Sequence, residues 1–401
     1  MSYSQDYTGQ QRYILTDLVR SFALLGIVLV NVAYFAYPGD ITYHAGGLNS
    51  SIDYAAYSLV NTLFLFKSYT LFSFMFGVGL AHQMLSAERR RISFKASYFK
   101  RMAALLALGM LHVTFAFYGD ILIVYALLGM LLYLFRNKNQ KKLVRTGCVL
   151  VGLQVLVAVV FASGLYSLEA RAPEQYIMTL AEMERQRSIT APIYASGDFS
   201  EVVQQRWRDW ISVLLFALPL QGPGVLGFFL FGLAAVRAGV LSNVQATLWE
   251  NARKLYLPFG LLISVLGAYV YSQADNPLSG TSLIGYALLL FAAPFSSLGY
   301  IGLVAKWSEG PDNAYKIFFA RAGTSTLTAY LLQSLILSLV FCGYGLGFFA
   351  KLDALTCVTI ALITGLITVA FVSLWRDRFK QGPMEALLRH WTYLGNRQTP
   401  R

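Results

Sequence analysis

A few residues that can hold a charge or move a proton stand within or beside long apolar stretches of this sequence: His112, Asp120, Lys67 and Asn31. A histidine accepts and returns a proton near neutral pH, and a carboxylate beside it fixes one ring tautomer. Asp120 lies eight positions after His112, off the adjacent helical turn, so it reaches the ring only if the chain turns back at Gly119. Lys67 enters its own apolar stretch from the same side, and a structural Lys67–Asp120 ion pair is an equally open arrangement. Asn31 sits deep in the apolar run 22–37, where an amide without a partner is costly. These four residues are expected to form one polar cluster, with His44 and Asp53 in the loop above it.

A second group is basic. Arg89, Arg90 and Arg91, with Lys95, Lys100 and Arg101, could hold the phosphates of a donor; a topology-setting loop explains them as well. Arg90, Arg91 and Lys95 are the donor-binding candidates, with Asp17 and Arg20 of the first segment as further ligand contacts. His82 and His390 fall near segment ends and read as interfacial. Cys148, Cys342 and Cys357 have no metal-ligand or CxxC spacing, and a Cys342–Cys357 disulfide is disfavoured; no metal site is expected. Dinucleotide, haem, flavin and P-loop signatures are absent.

The elements that carry these residues are apolar helices. Of the 401 residues, 56% are hydrophobic and 13% charged, and the mean hydropathy is +0.54. This composition predicts an all-α, polytopic helical membrane bundle. About ten segments can be drawn, near 18–37, 57–85, 101–118, 120–135, 145–166, 209–236, 254–272, 281–304, 322–342 and 354–375. Placing the N-terminus inside puts 25 of the 32 Lys and Arg residues in the inner segments, so both termini are expected in the cytoplasm. The net charge of +12 then reflects topology, not nucleic-acid binding. The first apolar run is too long for a secretory signal peptide and lacks a cleavage site.

The chain reads as a single transmembrane domain over 1–401, with an extracytoplasmic loop at 167–208 and a cytoplasmic amphipathic tail at 376–401. The loop is expected either to form surface or capping helices or to be a solvated connector. Two spans look irregular. The second is long and carries Lys67; the sixth contains Pro219, Gly222, Pro223 and Gly224, which fits a broken helix or a simple kink. Gly77, Gly79, Gly227 and Gly232 read as close-packing positions.

Four blocks carry a resemblance: RYILTDLVRSFALLGIVLVN (12–31), FKSYTLFSFMFGVGLA (66–81), RMAALLALGMLHVTFAFYGDILIVYALLG (101–129), and AGTSTLTAYLLQSLI (322–336) with GYGLG (343–347). GPMEALLRHWTY (382–393) is a fifth. In this order they resemble the YeiB-type membrane proteins, over nearly the whole chain. One departure is Ser21, where that family usually has glycine after the arginine. The family is in turn similar to the transmembrane acyltransferases, which include the acyltransferase-3 proteins and the heparan-glucosaminide acetyltransferases. That similarity implies a cytoplasmic acyl-CoA donor and an acceptor on the far side of the membrane. The acyltransferase-3 proteins have a catalytic histidine where Asn31 stands here. The heparan acetyltransferases have asparagine there and a functional histidine soon after, for which His44 is the matching position.

Two functions follow as expectations. One is acyl transfer to an extracytoplasmic sugar-like, lipid or other small-molecule acceptor. Asn31 would orient the ligands, His112 or His44 would act as base, and Arg20 and the basic loops would meet the nucleotide. The other is a multi-pass transporter or flippase using the same cluster. The expected setting is a lipid bilayer, the plasma or inner membrane of a bacterium, with self-association left open.

Overall fold

The computed structural model describes residues 14–38, 47–274, 276 and 278–394. His44 lies outside the described residues. Among the described residues all regular structure is helical.

The first helix, α1 (Ile14–Ala36), forms the centre. Its apolar side chains and its small residues Ala23, Gly26 and Ala33 let other helices pack on most sides of it. α2 (Ser51–Leu63) starts at Ser50, whose hydroxyl accepts the Asp53 N–H, and stops before Phe66. Phe66 takes a left-handed backbone (φ 64°), and α3 (Lys67–Arg89) begins directly after it. The break stands level with Gly26, near the middle of α1, where a Cβ would collide with Ser68 and Phe64. α4 (Phe94–Phe115) and α5 (Leu122–Leu132) form a hairpin.

α6 (Gln140–Arg171), α7 (Pro173–Ser196) and α8 (Phe199–Arg237) follow. The region 167–208 is therefore helical. α7 packs on the bundle through Tyr176, Thr190 and Tyr194, all buried, rather than forming a loose connector. α8 packs tightly on α3: a Cβ at Gly77 would overlap the Phe229 carbonyl oxygen, and one at Gly232 that of Phe74. Gly227 approaches the Gly147 carbonyl on α6, whereas Gly79 faces open space.

The chain continues through α9 (Thr247–Asn251) and a wide turn at Ala252–Tyr256 into α10 (Leu257–Ser272) and α11 (Gly280–Glu309). α12 (Ala314–Gly323) and α13 (Thr326–Phe341) meet at 80°. α14 (Ala354–Arg378) and the short α15 (Pro383–Tyr393) complete the fold.

Three expectations change. The proline-rich sixth segment is one uninterrupted 39-residue helix, about 58 Å long at 1.5 Å per residue. The bulk of Gln154 on α6 fills the space beside Gly224. The real breaks fall at 64–66 and 324–325, without proline at either. By length and composition, seven described helical stretches can cross a membrane, or eight if α12 and α13 count as one bent span, against about ten drawn from the sequence. α5 is short, and α4 falls outside that set.

Candidate functional site

α4 delivers His112 to its last turn. The His112 carbonyl accepts the N–H groups of both Ala116 and Phe117 at 2.9 Å, which ends the helix. The chain then reverses through Gly119, where a Cβ would collide with the Phe117 ring. Asp120 follows and does two jobs. Its Oδ2 accepts the Ile123 N–H at 2.8 Å, capping the first turn of α5. Its Oδ1 accepts from His112 Nδ1 at 2.8 Å. Both side chains are almost wholly buried, at 1% and 0% exposure.

This pairing fixes the chemistry of the ring. A carboxylate at Nδ1 keeps the proton there and leaves the Nε2 lone pair free in the neutral imidazole. Nε2 is buried and has no hydrogen-bond partner among the described residues. The Tyr330 ring lies 5.0 Å from the imidazole, and its hydroxyl is also buried and unpaired, facing the Ile121 backbone without hydrogen-bond geometry. A buried ring nitrogen without a partner, next to a tyrosine, is a position a polar ligand can complete.

Lys67 lies elsewhere. Its Nζ donates to the Asn61 carbonyl at 3.3 Å, and among the described residues no carboxylate pairs with it, so the expected Lys67–Asp120 pair does not form. Asn31 is half-buried on α1 with no hydrogen bond among the described residues, so of the four residues direct contacts join only His112 and Asp120. Asp53 is structural: it bonds Ser50, and its Oδ1 accepts the Leu355 N–H at 3.1 Å.

At the other end of the bundle, Asp17 is buried and accepts from Arg20 at 3.3 Å. Ser21 has a buried hydroxyl without a partner among the described residues. Arg90 stacks over the Tyr393 ring at 4.7 Å, while Arg91 and Lys95 are exposed. Close to them is Arg101, whose Nε is buried and unpaired among the described residues, near Arg20, Glu385 and the phenols of Tyr98 and Tyr393.

Sequence reasoning passed over several of these residues. Arg101 was one of a basic run and Asn61 one of many polar residues near a segment start. Glu385 looked like part of an amphipathic tail, yet its carboxylate accepts Leu327 N at 2.7 Å and Thr328 N at 3.2 Å, capping α13 at its break. Arg206 was assigned to an outer loop but is 1% exposed, donating to Thr114 O at 3.2 Å, to Ser338 at 2.5 Å and to Tyr344. The three cysteines are free thiols. Among the described residues no three His, Cys, Asp or Glu side chains converge on a metal position.

Long apolar helices, outward apolar side chains such as Leu262 and Leu374, and buried polar groups inside the bundle define a multi-pass helical membrane protein. Its sequence is similar to those of the YeiB-type membrane proteins. Residues 235–395 match the family model described as a protein of unknown function, DUF418. The chain is 29% identical to the uncharacterized protein YxaH of Bacillus subtilis, covering 98% of this chain and 97% of the relative. It is 28% identical to the uncharacterized protein YeiB of Escherichia coli, over 95% and 96% of the two chains. An uncharacterized 39.9 kDa protein in an amylase 3′ region of Bacillus acidopullulyticus is 26% identical, over 96% and 94%. No solved structure matches.

Proposed function

We propose that the protein is a membrane-embedded acyltransferase in which His112 is the general base. One observation carries this reading: a buried imidazole held by Asp120, with Nε2 free beside the unpaired Tyr330 hydroxyl. The acceptor hydroxyl or amine gives its proton to Nε2 as its oxygen or nitrogen attacks the thioester carbonyl of an acyl-CoA. Asp120 keeps the Nδ1 proton and stabilises the imidazolium that forms. The C–S bond then breaks, and Nε2 returns the proton to the departing thiolate. Tyr330 donates to the carbonyl oxygen while it carries negative charge.

α4 supports a donor lying along the bundle. Arg101, Leu105, Leu108 and His112 follow three- and four-residue steps, so they share one helical face. Arg101 and His112 are about 16 Å apart along that face. Arg101 and Arg20 would meet the donor's phosphates, with the thioester at His112. A donor entering from the cytoplasm and an acceptor from the other side, under α7, complete the proposal; Asn31 is left as an acceptor contact.

The test is binding and turnover. Acetyl-CoA and longer acyl-CoAs are titrated against purified protein and the melting temperature is followed, for wild type and His112→Gln. Thiol release is measured with sugar and lipid acceptors. Donor-induced stabilisation of both proteins, with turnover in wild type alone, is the expected result. No stabilisation by any acyl-CoA in folded protein overturns the reading.

A second reading has its own observation. Interrupted helices at 64–66 and 324–325, one in each half of the chain and both against α1, are the kind of feature that transporters place at their solute sites. Solute or proton flux in proteoliposomes, abolished by Lys67→Met and unaffected by His112→Gln, would favour it over acyl transfer.

A further inference from the structure

Lys67 is 1% exposed and sits at the first position of a 23-residue helix. The positive end of the helix dipole adds to its charge there, so the position is electrostatically unfavourable without an anion. An ammonium has three protons to donate, and among the described residues its single acceptor is the Asn61 carbonyl at 3.3 Å. Neighbouring hydroxyls do not relieve this. Thr70 Oγ1 donates to the Lys67 carbonyl at 2.8 Å, and Ser297 Oγ lies 2.5 Å from Thr70 Oγ1 and 3.3 Å from the same carbonyl, so both hydroxyls are engaged away from the ammonium.

Asn61 links this cation to a cleft. Its carbonyl takes the ammonium and its residue lines the cleft, which Lys67 itself does not, and its Nδ2 is buried with no partner among the described residues. The cleft lies between α1, α2 and α10 and is narrow, with a volume of about 30 Å³. Leu29, Val30, Ala33 and Leu65 make much of its wall apolar. Beyond the mouth, α2 and α10 expose Leu59, Leu262 and Leu266. A buried cation without a counter-ion and an idle amide donor both face the same requirement. A membrane protein meets it with a partner of opposite charge.

We infer that the α1–α2–α10 cleft binds an amphiphile with an anionic head group, the head bonded by Asn61 Nδ2 and neutralising Lys67, and the tail leaving along the apolar mouth. A fatty carboxylate and a phospholipid phosphate share this chemistry. The inference is independent of acyl transfer at His112.

The test uses purified full-length protein in uncharged detergent. Melting temperature is measured against dodecanoate and, separately, phosphatidate, with dodecanol and diacylglycerol as uncharged counterparts. Wild type is expected to gain several degrees with at least one anion and nothing with its uncharged counterpart. The shift is expected to vanish in Lys67→Met and to shrink in Asn61→Leu, and to persist in His112→Gln. Which anion acts identifies the source. The inference is overturned if neither anion stabilises wild type, if the uncharged analogues do so equally, or if Lys67→Met keeps the full shift. Should Lys67→Met fail to fold, an undiminished shift in Asn61→Leu overturns it just as well.

Discussion

Replacing Asp120 with asparagine keeps the shape of the dyad and removes its charge. The Ile123 N–H, 2.8 Å from Oδ2, needs an oxygen acceptor, so the amide oxygen stays there. The amide nitrogen then faces His112 Nδ1, where Oδ1 had accepted at 2.8 Å. Nδ1 must now accept, and the ring proton moves to Nε2. The base is lost while the number of hydrogen bonds is kept. Stability should change by only about 1 kcal/mol, as a charge-assisted bond becomes a neutral one. Turnover should fall about ten-thousand-fold, the effect of the same tautomer change behind a catalytic histidine elsewhere, equivalent to about 5.4 kcal/mol. Asp120→Ala is the contrast: it strands the His112 Nδ1 proton and the Ile123 N–H, each costing about 1–3 kcal/mol. The assay is acceptor-dependent thiol release from acyl-CoA, with the melting temperature recorded for each variant. Near-wild-type turnover in Asp120→Asn, with an unchanged pH profile, refutes the assignment of His112 as a base held by Asp120.

Other outcomes follow from single contacts. Gly77→Ala forces α3 away from the Phe229 carbonyl and should cost about 1–3 kcal/mol in thermal unfolding, while Gly79→Ala, facing open space, should be close to neutral. Glu385→Ala uncovers the first N–H groups of α13 and should cost about 1–2 kcal/mol, with faster proteolysis within 376–393; Glu385→Gln should largely restore protection. Tyr194, buried in α7 and donating to Asp209 Oδ2 at 2.7 Å, has its phenol held well above the usual value, chiefly by burial and then by the Asp209 charge. A raised value means that the docking of α7 is fully supported below about pH 10 and weakens as pH rises beyond it. Hydrogen exchange across 173–196 should show that loss in wild type and a flatter response in Tyr194→Phe.

The helical membrane class was legible because it depends on composition and run length, which neighbours cannot reverse. His112 and Asp120 were legible as a possible pair because Gly119 supplies the reversal their spacing demands. What the sequence concealed was decided by packing. Pro219 and Pro223 look like a break, yet α8 continues through them against α6. LFLFK carries no breaking residue, yet α2 stops at Leu63 and α3 starts only after Phe66, where Ser68 and Phe64 pack on Gly26. Arg206 reads as an exposed loop charge until Ser338 and Tyr344, more than a hundred residues away, close around it. Asn61 had one usable signal, an amide six residues before a lysine inside an apolar run.

The two helix breaks resolve their electrostatics in opposite ways. At 324–325 the start of α13 receives a carboxylate from the chain's own tail: Glu385 bonds Leu327 N, Thr328 N and the Thr328 hydroxyl. Asp377 and Arg321, 2.8 Å apart, tie α14 to α12 beside it. Negative charge at a helix start is the favourable arrangement, and this break is closed from within. At 64–66 the start of α3 carries Lys67, and the described residues offer only a carbonyl against it. Tyr300 Oη satisfies the Leu63 carbonyl at 2.8 Å, so the end of α2 is cared for while the cation is not. A structural break would be expected to carry its own compensation, as the second one does. A break whose compensation is missing, beside a cleft and an idle amide donor, is the arrangement expected of a position completed by a ligand.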